Sequence, residues 1–478
     1  MNRPDTASAA SAFVVFTGLW TVLAIAHKVI AARAAAYTSD LYDYHQSLQS
    51  TTDGSFFRSY VFGNVMGDHG YLLLFLLVPI YLLAPSIGYW VLVVITPLVM
   101  ALSASFIRLI LVERGYRYPG TIAATLLGLP GVWWLIHEPI YGFHPDTLAL
   151  PLFSLAVVGL AGRSGRAYDL GDRIGFLAFL AFVSLKEEMA LLGIVLGLPL
   201  LLKSESRRLG VILTGAAAAA SVFAFALIAW SSTPFNRGNS SLIGDAIGDL
   251  VPWPGFAIAA PQLIPLALGM LLIAITGIHL PSLDPVKAGA AFAVALKIAS
   301  LAVVVEHLPS WSWHLALPLA GAWLLVVRLF ETAPMARAGP VVLVAVVVAI
   351  GTVAIDARWA IRYGELLDSR RIGAVESAQA YRAFAPQVGS GVISVPPFDL
   401  HAWRGHASTT FPRGLSLSPR GISDYVVTGS AGLPSEYEGF TECMEVVAST
   451  RWRILYARVG ECPFAEDREL FDRLVGLP

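Results

Sequence analysis

The segment Ser39 to Leu48 reads SDLYDYHQSL and brings Asp40, Asp43, His45 and Gln46 together directly after the first long apolar stretch. Carboxylates and imidazoles accept protons or hold divalent ions near neutral pH. Ionisable groups at a hydrocarbon boundary are costly, so they serve a ligand more often than packing. The competing reading is that Asp40 and Asp43 only cap a helix in the first loop, because Ser39-Asp40 is acceptable capping chemistry. Its place at the boundary favours function. A second group is HEPIYGFHPD, with His137, Glu138, His144 and Asp146, whose bland reading is a loop with Pro145 opening the next helix. A third is Lys186-Glu187-Glu188, a triplet that could neutralise itself in a turn, so that at least one member is structural. His69 and His314 and the cations Arg58 and Arg237 fall near the same ends of apolar runs. His401 and His406 match a metal-ligand spacing only loosely and read as solvated surface. No Walker loop, dinucleotide fingerprint, zinc-protease helix or nucleophile elbow occurs, so an activated substrate would arrive by the membrane rather than as a soluble nucleotide.

Apolar runs must position these groups. Of the 478 residues 56% are hydrophobic and only 14% charged, and mean hydropathy is +0.67, which excludes a soluble protein of this length. The net charge of -1 argues against a nucleic-acid partner. Runs of about 20 apolar residues can cross roughly 30 Å of hydrocarbon, and lipid leaves helices as the way to satisfy the backbone. The expected fold is mainly α: a polytopic bundle of about eleven spans, at roughly 12–35, 86–112, 119–137, 146–162, 173–186, 188–203, 209–230, 255–280, 286–306, 312–330 and 340–356. The first span reads as uncleaved. Tyr71 to Ala84 is too short for a span and reads as an interfacial helix closing a long first outer loop, 36–85. The GAAAAA run in the seventh span suits close helix packing.

With a cytoplasmic N-terminus, the inner connections hold eleven basic residues: Arg114, Arg117, Arg163, Arg166, Arg173, Lys203, Arg207, Arg208, Lys287, Arg328 and Arg337. The outer ones before the last span hold Arg58, Lys186 and Arg237. That bias fits the positive-inside rule, and counting Tyr71–Ala84 as a crossing would destroy it. The bundle then occupies 1–357, and 358–478 forms a small extracytoplasmic α/β domain in which GVISVPP and DYVVTGS read as strands. Both cysteines, Cys443 and Cys462, lie there, and an oxidising compartment would let them pair.

Asp40-Leu41 with Gln46 and Gly54, then His69 followed by YLLLFLLVPIYLLAPS, FHPDTLALPL, LKEEMALL, SWHLALPLAGAWL and the tail's SVPPFDLHAWRGH with DYVVTGS follow one another in order. In that order they resemble a family of bacterial and archaeal membrane proteins, domain of unknown function 2079, related to the GT-C glycosyltransferases, and the resemblance covers most of the chain. His45 departs from it by standing where a second acid is expected before the Gln. The resemblance implies a GT-C-like architecture with a first-loop acid and an outer-face site where a polyprenyl-phosphate sugar meets a glycan, lipid or protein acceptor. Asp40 would be the catalytic base, or with Asp43 a ligand of Mg²⁺ or Mn²⁺. Lys186, Arg237 or Arg58 would face the lipid phosphate. His69 and His144 would orient acceptor or phosphate, with His45, Gln46, Asp146, Glu187, Glu188 and His314 lining the substrate. The expected activity is therefore glycosyl transfer at the outer face of the cytoplasmic membrane. The rival is a transporter or flippase of a lipid-linked or polar solute, which would carry ionisable groups at mid-membrane and matched halves.

Overall fold

Proline opens three of the helices, at Pro85, Pro119 and Pro285, where its fixed φ suits the first turn and its missing N–H would have no partner in any case. The computed structural model begins with α1 (Ala7–Arg33) and the first-loop helix α2 (Ser39–Thr52). A two-stranded ribbon of β1 (Arg58–Ser59) and β2 (Gly63–Asn64), α3 (Val65–Asp68), a 3-10 turn (Leu72–Leu76) and α4 (Val78–Leu83) complete the first loop. Next come α5 (Pro85–Glu113), α6 (Pro119–Leu127), α7 (Val132–Ile136), a 3-10 turn (Pro145–Leu148), α8 (Ala149–Leu160) and α9 (Leu170–Val183). The last bundle helices described are α10 (Glu187–Leu201), α11 (Arg207–Ser231), α12 (Pro285–Val303) and α13 (Ala316–Thr332). The described residues are 7–33, 37, 39–59, 63–129, 131–136, 142–162, 169–231, 284–303, 316–332, 375–396, 399–403, 406, 408–410, 423–430 and 443–460.

Among the described residues, α1 (from Ser8), α5 and α11 are long and apolar enough to cross a membrane. The others that match expected spans are shorter. The 15 residues of α10, at about 1.5 Å each, fall short of roughly 30 Å of hydrocarbon. Within the run expected at 119–137, α6 ends at Leu127 and α7 begins at Val132. The runs at 255–280 and 340–356 lie outside the described residues. Tyr71–Ala84 is a 3-10 turn and one short helix, with Leu76, Leu82 and Leu83 exposed on one side and Tyr81 buried on the other.

The helices alternate direction, which gives the bundle two chemically distinct ends. At one end Arg114, just past α5, approaches Asp169 at 3.7 Å and Asp172 at 3.9 Å. It also donates to the carbonyls of Val158, Gly159 and Ala161, which end α8. Asp169 and Asp172 form a capping box that starts α9. The C-terminus of α1 and the N-termini of α5, α8 and α10 meet at the other end, and the candidate groups lie there. The core between the ends is apolar and shared by α1, α5, α6 and α8 to α13.

Beyond the bundle a helix over 375–388, α14, leads into β3 (Ile393–Val395), α15 (Leu400–Trp403), β4 (Ser408–Thr410), β5 (Tyr425–Gly429), β6 (Met444–Ser449) and β7 (Arg453–Arg458). The sheet order is β4-β3-β5-β7-β6, parallel through β4, β3 and β5 and antiparallel from β5 onward. Both strands expected from sequence are present, as β3 and β5. Arg453 ties the sheet to α15's entry, donating to Asp399 at 2.8 Å with Glu376 at 3.5 Å. One apolar cluster runs from Leu41, Tyr42 and Leu48 of α2 to Phe384, Val395 and Trp403 of the tail. The tail therefore packs on the same end as the candidate groups. Cys443 is buried at the entry to β6. Cys462 lies outside the described residues.

Candidate functional site

Asp40 sits in the first turn of α2, where the helix dipole and unsatisfied N–H groups favour a carboxylate. Its side chain is half-buried, whereas Asp43 is 2% exposed. Tyr44 lies one turn after Asp40 and shares its face. The Tyr44 ring meets Phe143 edge-on at 5.5 Å, Tyr71 at 5.5 Å and His144 at 6.2 Å. The first-loop helix and the FHPD loop are thereby joined through an aromatic wall. The opposite face of α2 turns to α4 and α5. There His45 Nδ1 is 2.9 Å from the Tyr81 hydroxyl, the His45 ring abuts Tyr89 at 5.5 Å, and Tyr42 stacks on Tyr89 at 5.9 Å. Gln46 is buried on the same helix.

Each member of the triplet 186–188 reaches a different element. Glu187 accepts from His69 Nδ1 at 2.9 Å and from the Gly70 backbone N–H at 3.0 Å. A Cβ on Gly70 would stand 2.5 Å from the Ala224 Cβ of α11, so only glycine lets this backbone come near enough to donate. Glu188 takes two bonds from Lys297 of α12, at 2.7 and 2.9 Å. Lys186 Nζ lies 3.6 Å from Asp146, which is 1% exposed. The backbone N–H of Leu73 donates to the carbonyl of Ser184 at 2.6 Å, fastening the first loop to this turn.

Because a carboxylate only accepts, the His69–Glu187 bond puts the proton on His69 Nδ1 and makes Nε2 the basic nitrogen. Burial alone would raise the Glu187 carboxyl. The charge and hydrogen bond of His69, with Lys186 and a backbone bond, outweigh it and hold the group at about 2. His144 is pushed well below the ordinary histidine range, first by burial and then by the nearby charges of Lys186, His69 and Lys297. Its Nδ1 accepts from the Asp146 N–H at 3.4 Å, which requires an unprotonated nitrogen. Both groups have depressed values in the folded chain, so each contributes stability that is complete above its unfolded value and is lost on acidification. Tm is therefore expected to fall in two stages, below about 6.5 for His144 and below about 4.5 for Glu187. Thermal unfolding across pH should show the upper stage vanish in His144→Asn and the lower one in Glu187→Gln.

Lys28 is the group that the sequence reading overlooked most clearly. It lies inside α1 at 1% exposure, and its Nζ donates to the carbonyls of Ile136, at 3.0 Å, and Gly142. One ammonium thus clips both flanks of the loop that leads into His144 and Asp146, with the Tyr37 ring 5.5 Å away. Gly142 has φ +70, and a Cβ there would press on Tyr37 at 2.6 Å. Lys297 was overlooked too. Both are lysines within apolar runs, and an ionisable residue in such a run asks for a named partner.

The described residues therefore bring His69, His144, Asp146, Lys186, Glu187, Glu188 and Lys297 to one end of the bundle, and the aromatic wall carries α2 with Asp40 and Asp43 alongside. Arg237 and His314, with His137 and Glu138, lie outside the described residues. Arg58 is exposed on the ribbon after α2. Asp40 and Asp43 are three apart on one helix and so are neighbours along its surface. Among the described residues no three His, Cys, Asp or Glu side chains gather as a metal would need.

Residues 34–282, just over half of the chain, match a family described as predicted membrane proteins, DUF2079. No curated protein sequence matches. Among solved structures, ArnT from Cupriavidus metallidurans in the apo state is similar with a TM-score of 0.44 and 16% identity, over 92% of this chain and 98% of that one. The Archaeoglobus fulgidus oligosaccharyltransferase in the apo form is similar with a TM-score of 0.43 and 12% identity, over 86% of this chain and 69% of that one.

Proposed function

We propose that this chain, which belongs to the predicted membrane-protein family DUF2079, is a GT-C-type glycosyltransferase of the cytoplasmic membrane. It moves a sugar from a polyprenyl-phosphate donor to a glycan, lipid or protein acceptor on the outer face. One observation carries the reading: a buried acid–base cluster, drawn from the first loop, the FHPD loop and the 186–188 turn, lies at one end of an apolar bundle. A transporter would place such groups at mid-membrane.

In this reading Asp40 takes the proton of the acceptor hydroxyl as its oxygen attacks the anomeric carbon. The bond from that carbon to the phosphate oxygen breaks, and its electron pair leaves with the polyprenyl phosphate. Lys186, 3.6 Å from Asp146, offers a cation to the departing phosphate. His69, oriented by Glu187, can steer either the acceptor or the phosphate. His144 and Tyr44 wall the site. Reconstituting the purified chain with a labelled polyprenyl-phosphate sugar tests the proposal. Label transferred to an acceptor supports it, whereas movement of the intact lipid between leaflets without transfer favours a flippase.

The outer location rests on the charge bias of the loops and on the tail packing at the site end. The tail is expected outside the cytoplasm, carrying a Cys443–Cys462 bridge. A reporter fused after Pro478 should be active only as an exported protein, and both thiols should alkylate only after reduction. A reporter active in the cytoplasm would invert the arrangement.

A further inference from the structure

A cavity of about 520 Å³ begins at the Arg114 end of the bundle, away from the candidate groups, and runs between α12 and α13. Leu111 of α5 and Val157 and Val158 of α8 line it from behind. Small side chains make the room: Ala291 and Ala295 on α12, with Gly321 and Ala322 on α13. A Cβ on Gly321 would stand 2.5 Å from the Val294 side chain, so the two helices touch beside the cavity. Ala291, Ala295 and Ile298 follow the i, i+4, i+7 pattern of a single face, and all three are exposed, as is Ala322. The cavity therefore opens sideways from the bundle, into the hydrocarbon around two of the expected spans.

Its length and its polar end narrow the occupant. From Lys287 to Ile298, both in the lining, α12 rises about 16 Å, close to half of the roughly 30 Å of hydrocarbon in a bilayer. Lys287 and Tyr116 line the end nearest Arg114, and the exposed Arg117 follows Tyr116 directly. The charge bias of the loops assigns that end to the cytoplasmic face. The acid just before α12, Asp284, accepts from the backbone N–H groups of Val286 at 3.0 Å, Lys287 at 3.2 Å and Gly162 at 2.7 Å. It serves as a helix cap and as a tie to the end of α8.

We infer that this cavity holds one acyl chain of an anionic glycerophospholipid from the cytoplasmic leaflet, with the lipid's phosphate at Lys287. An apolar lining open to the bilayer calls for hydrocarbon, and a depth of half the bilayer suits a chain from one leaflet. Basic pockets between spanning helices on the cytoplasmic side attract anionic head groups, and Tyr116 has the amphipathic ring that settles at a headgroup boundary. This lipid is neither donor nor acceptor of a sugar, and the site stands whether or not the chain transfers one. α12 also carries Lys297, which holds Glu188 at the other end, so the lipid packs on a helix that supports the candidate site. Because it binds the folded chain, it should also raise Tm by mass action.

Delipidated full-length protein would be titrated by native mass spectrometry with phosphatidylglycerol, and separately with phosphatidylcholine of the same acyl chains. The expected result is one saturable adduct, favouring phosphatidylglycerol roughly fivefold, the effect of one basic residue at an anionic surface. Lys287→Gln should remove that preference, and Lys287→Arg should keep it. Ala295→Phe should weaken both adducts by filling the opening, and phosphatidylglycerol should then no longer raise Tm. Val222→Trp, on a face of α11 where Val222 is 70% exposed, should change neither adduct. If Lys287→Gln does not fold, the parent's preference and the Ala295→Phe arm decide. Equal binding of the two lipids by the parent chain, or an undiminished adduct in Ala295→Phe, overturns the site. Displacement of phosphatidylglycerol by polyisoprenyl monophosphate at equal concentration overturns it too. A dimer in place of the adduct, lost in Ala295→Phe, gives the cavity to a second copy of the chain and overturns the lipid.

Discussion

Asp40→Asn should lower sugar transfer by roughly 100- to 10,000-fold, the usual cost of losing a general base, with thermal unfolding close to that of the parent chain. The amide keeps the shape of the carboxylate and can still cap α2, and Asp40 is only half-buried, so folding has little reason to fail. Asp43→Asn is the internal control. Asp43 is 2% exposed and lies one position before Tyr44, which fixes the aromatic wall, so its loss should act through stability and packing. If Asp40 alone is the base, the control retains far more activity at a temperature where it is folded. If the two carboxylates share a divalent ion, both variants fail, chelation abolishes transfer, and Mn²⁺ or Mg²⁺ restores it in the parent chain. Near-normal transfer by folded Asp40→Asn protein removes Asp40 from the chemistry, and the His69–Glu187 pair, with its basic Nε2, becomes the base to test next.

Local patterns made much of the scaffold legible. Apolar run lengths located α1, α5 and α11, Pro145 marked the 3-10 turn that leads into α8, and segments bounded by Pro and Gly located β3 and β5. The acids and histidines at span ends stood out for the same reason: charge is rare in so apolar a chain. Partner choice was not legible. Nothing in LKEEMALL says that Glu187 meets His69, more than a hundred residues earlier, or that Glu188 meets Lys297 across to α12. Those pairings depend on which helices lie side by side, and periodicity within one helix carries no such information. The clip made by Lys28 was hidden differently. Its partners are backbone carbonyls, which every sequence possesses, so no residue type announces them. His45, read as a substrate ligand, is engaged by Tyr81 and Tyr89 on the face of α2 turned away from His144.

Lys186→Met should produce the largest loss of stability at the site, together with loss of transfer. Asp146 is 1% exposed, and neither of its oxygens accepts a hydrogen bond among the described residues. Lys186 at 3.6 Å is the cation that balances it, because His144 at 3.8 Å is held neutral. Removing one member of a buried pair typically costs about 3–5 kcal/mol, since the remaining charge is left without compensation. Replacing both members with neutral groups of similar size is far milder. Lys186→Met/Asp146→Asn should therefore regain most of the lost stability, as read by Tm of the purified protein. Transfer should not return with it if Lys186 also neutralises the departing lipid phosphate, because the double variant restores packing and no cation. Lys186→Arg completes the set: it keeps a charge beside Asp146 and should keep part of the activity. A double variant that recovers both stability and transfer would reduce Lys186 to a structural partner of Asp146. The phosphate would then have to be met by another cation of this end, with Arg58 and Arg237 the first to substitute.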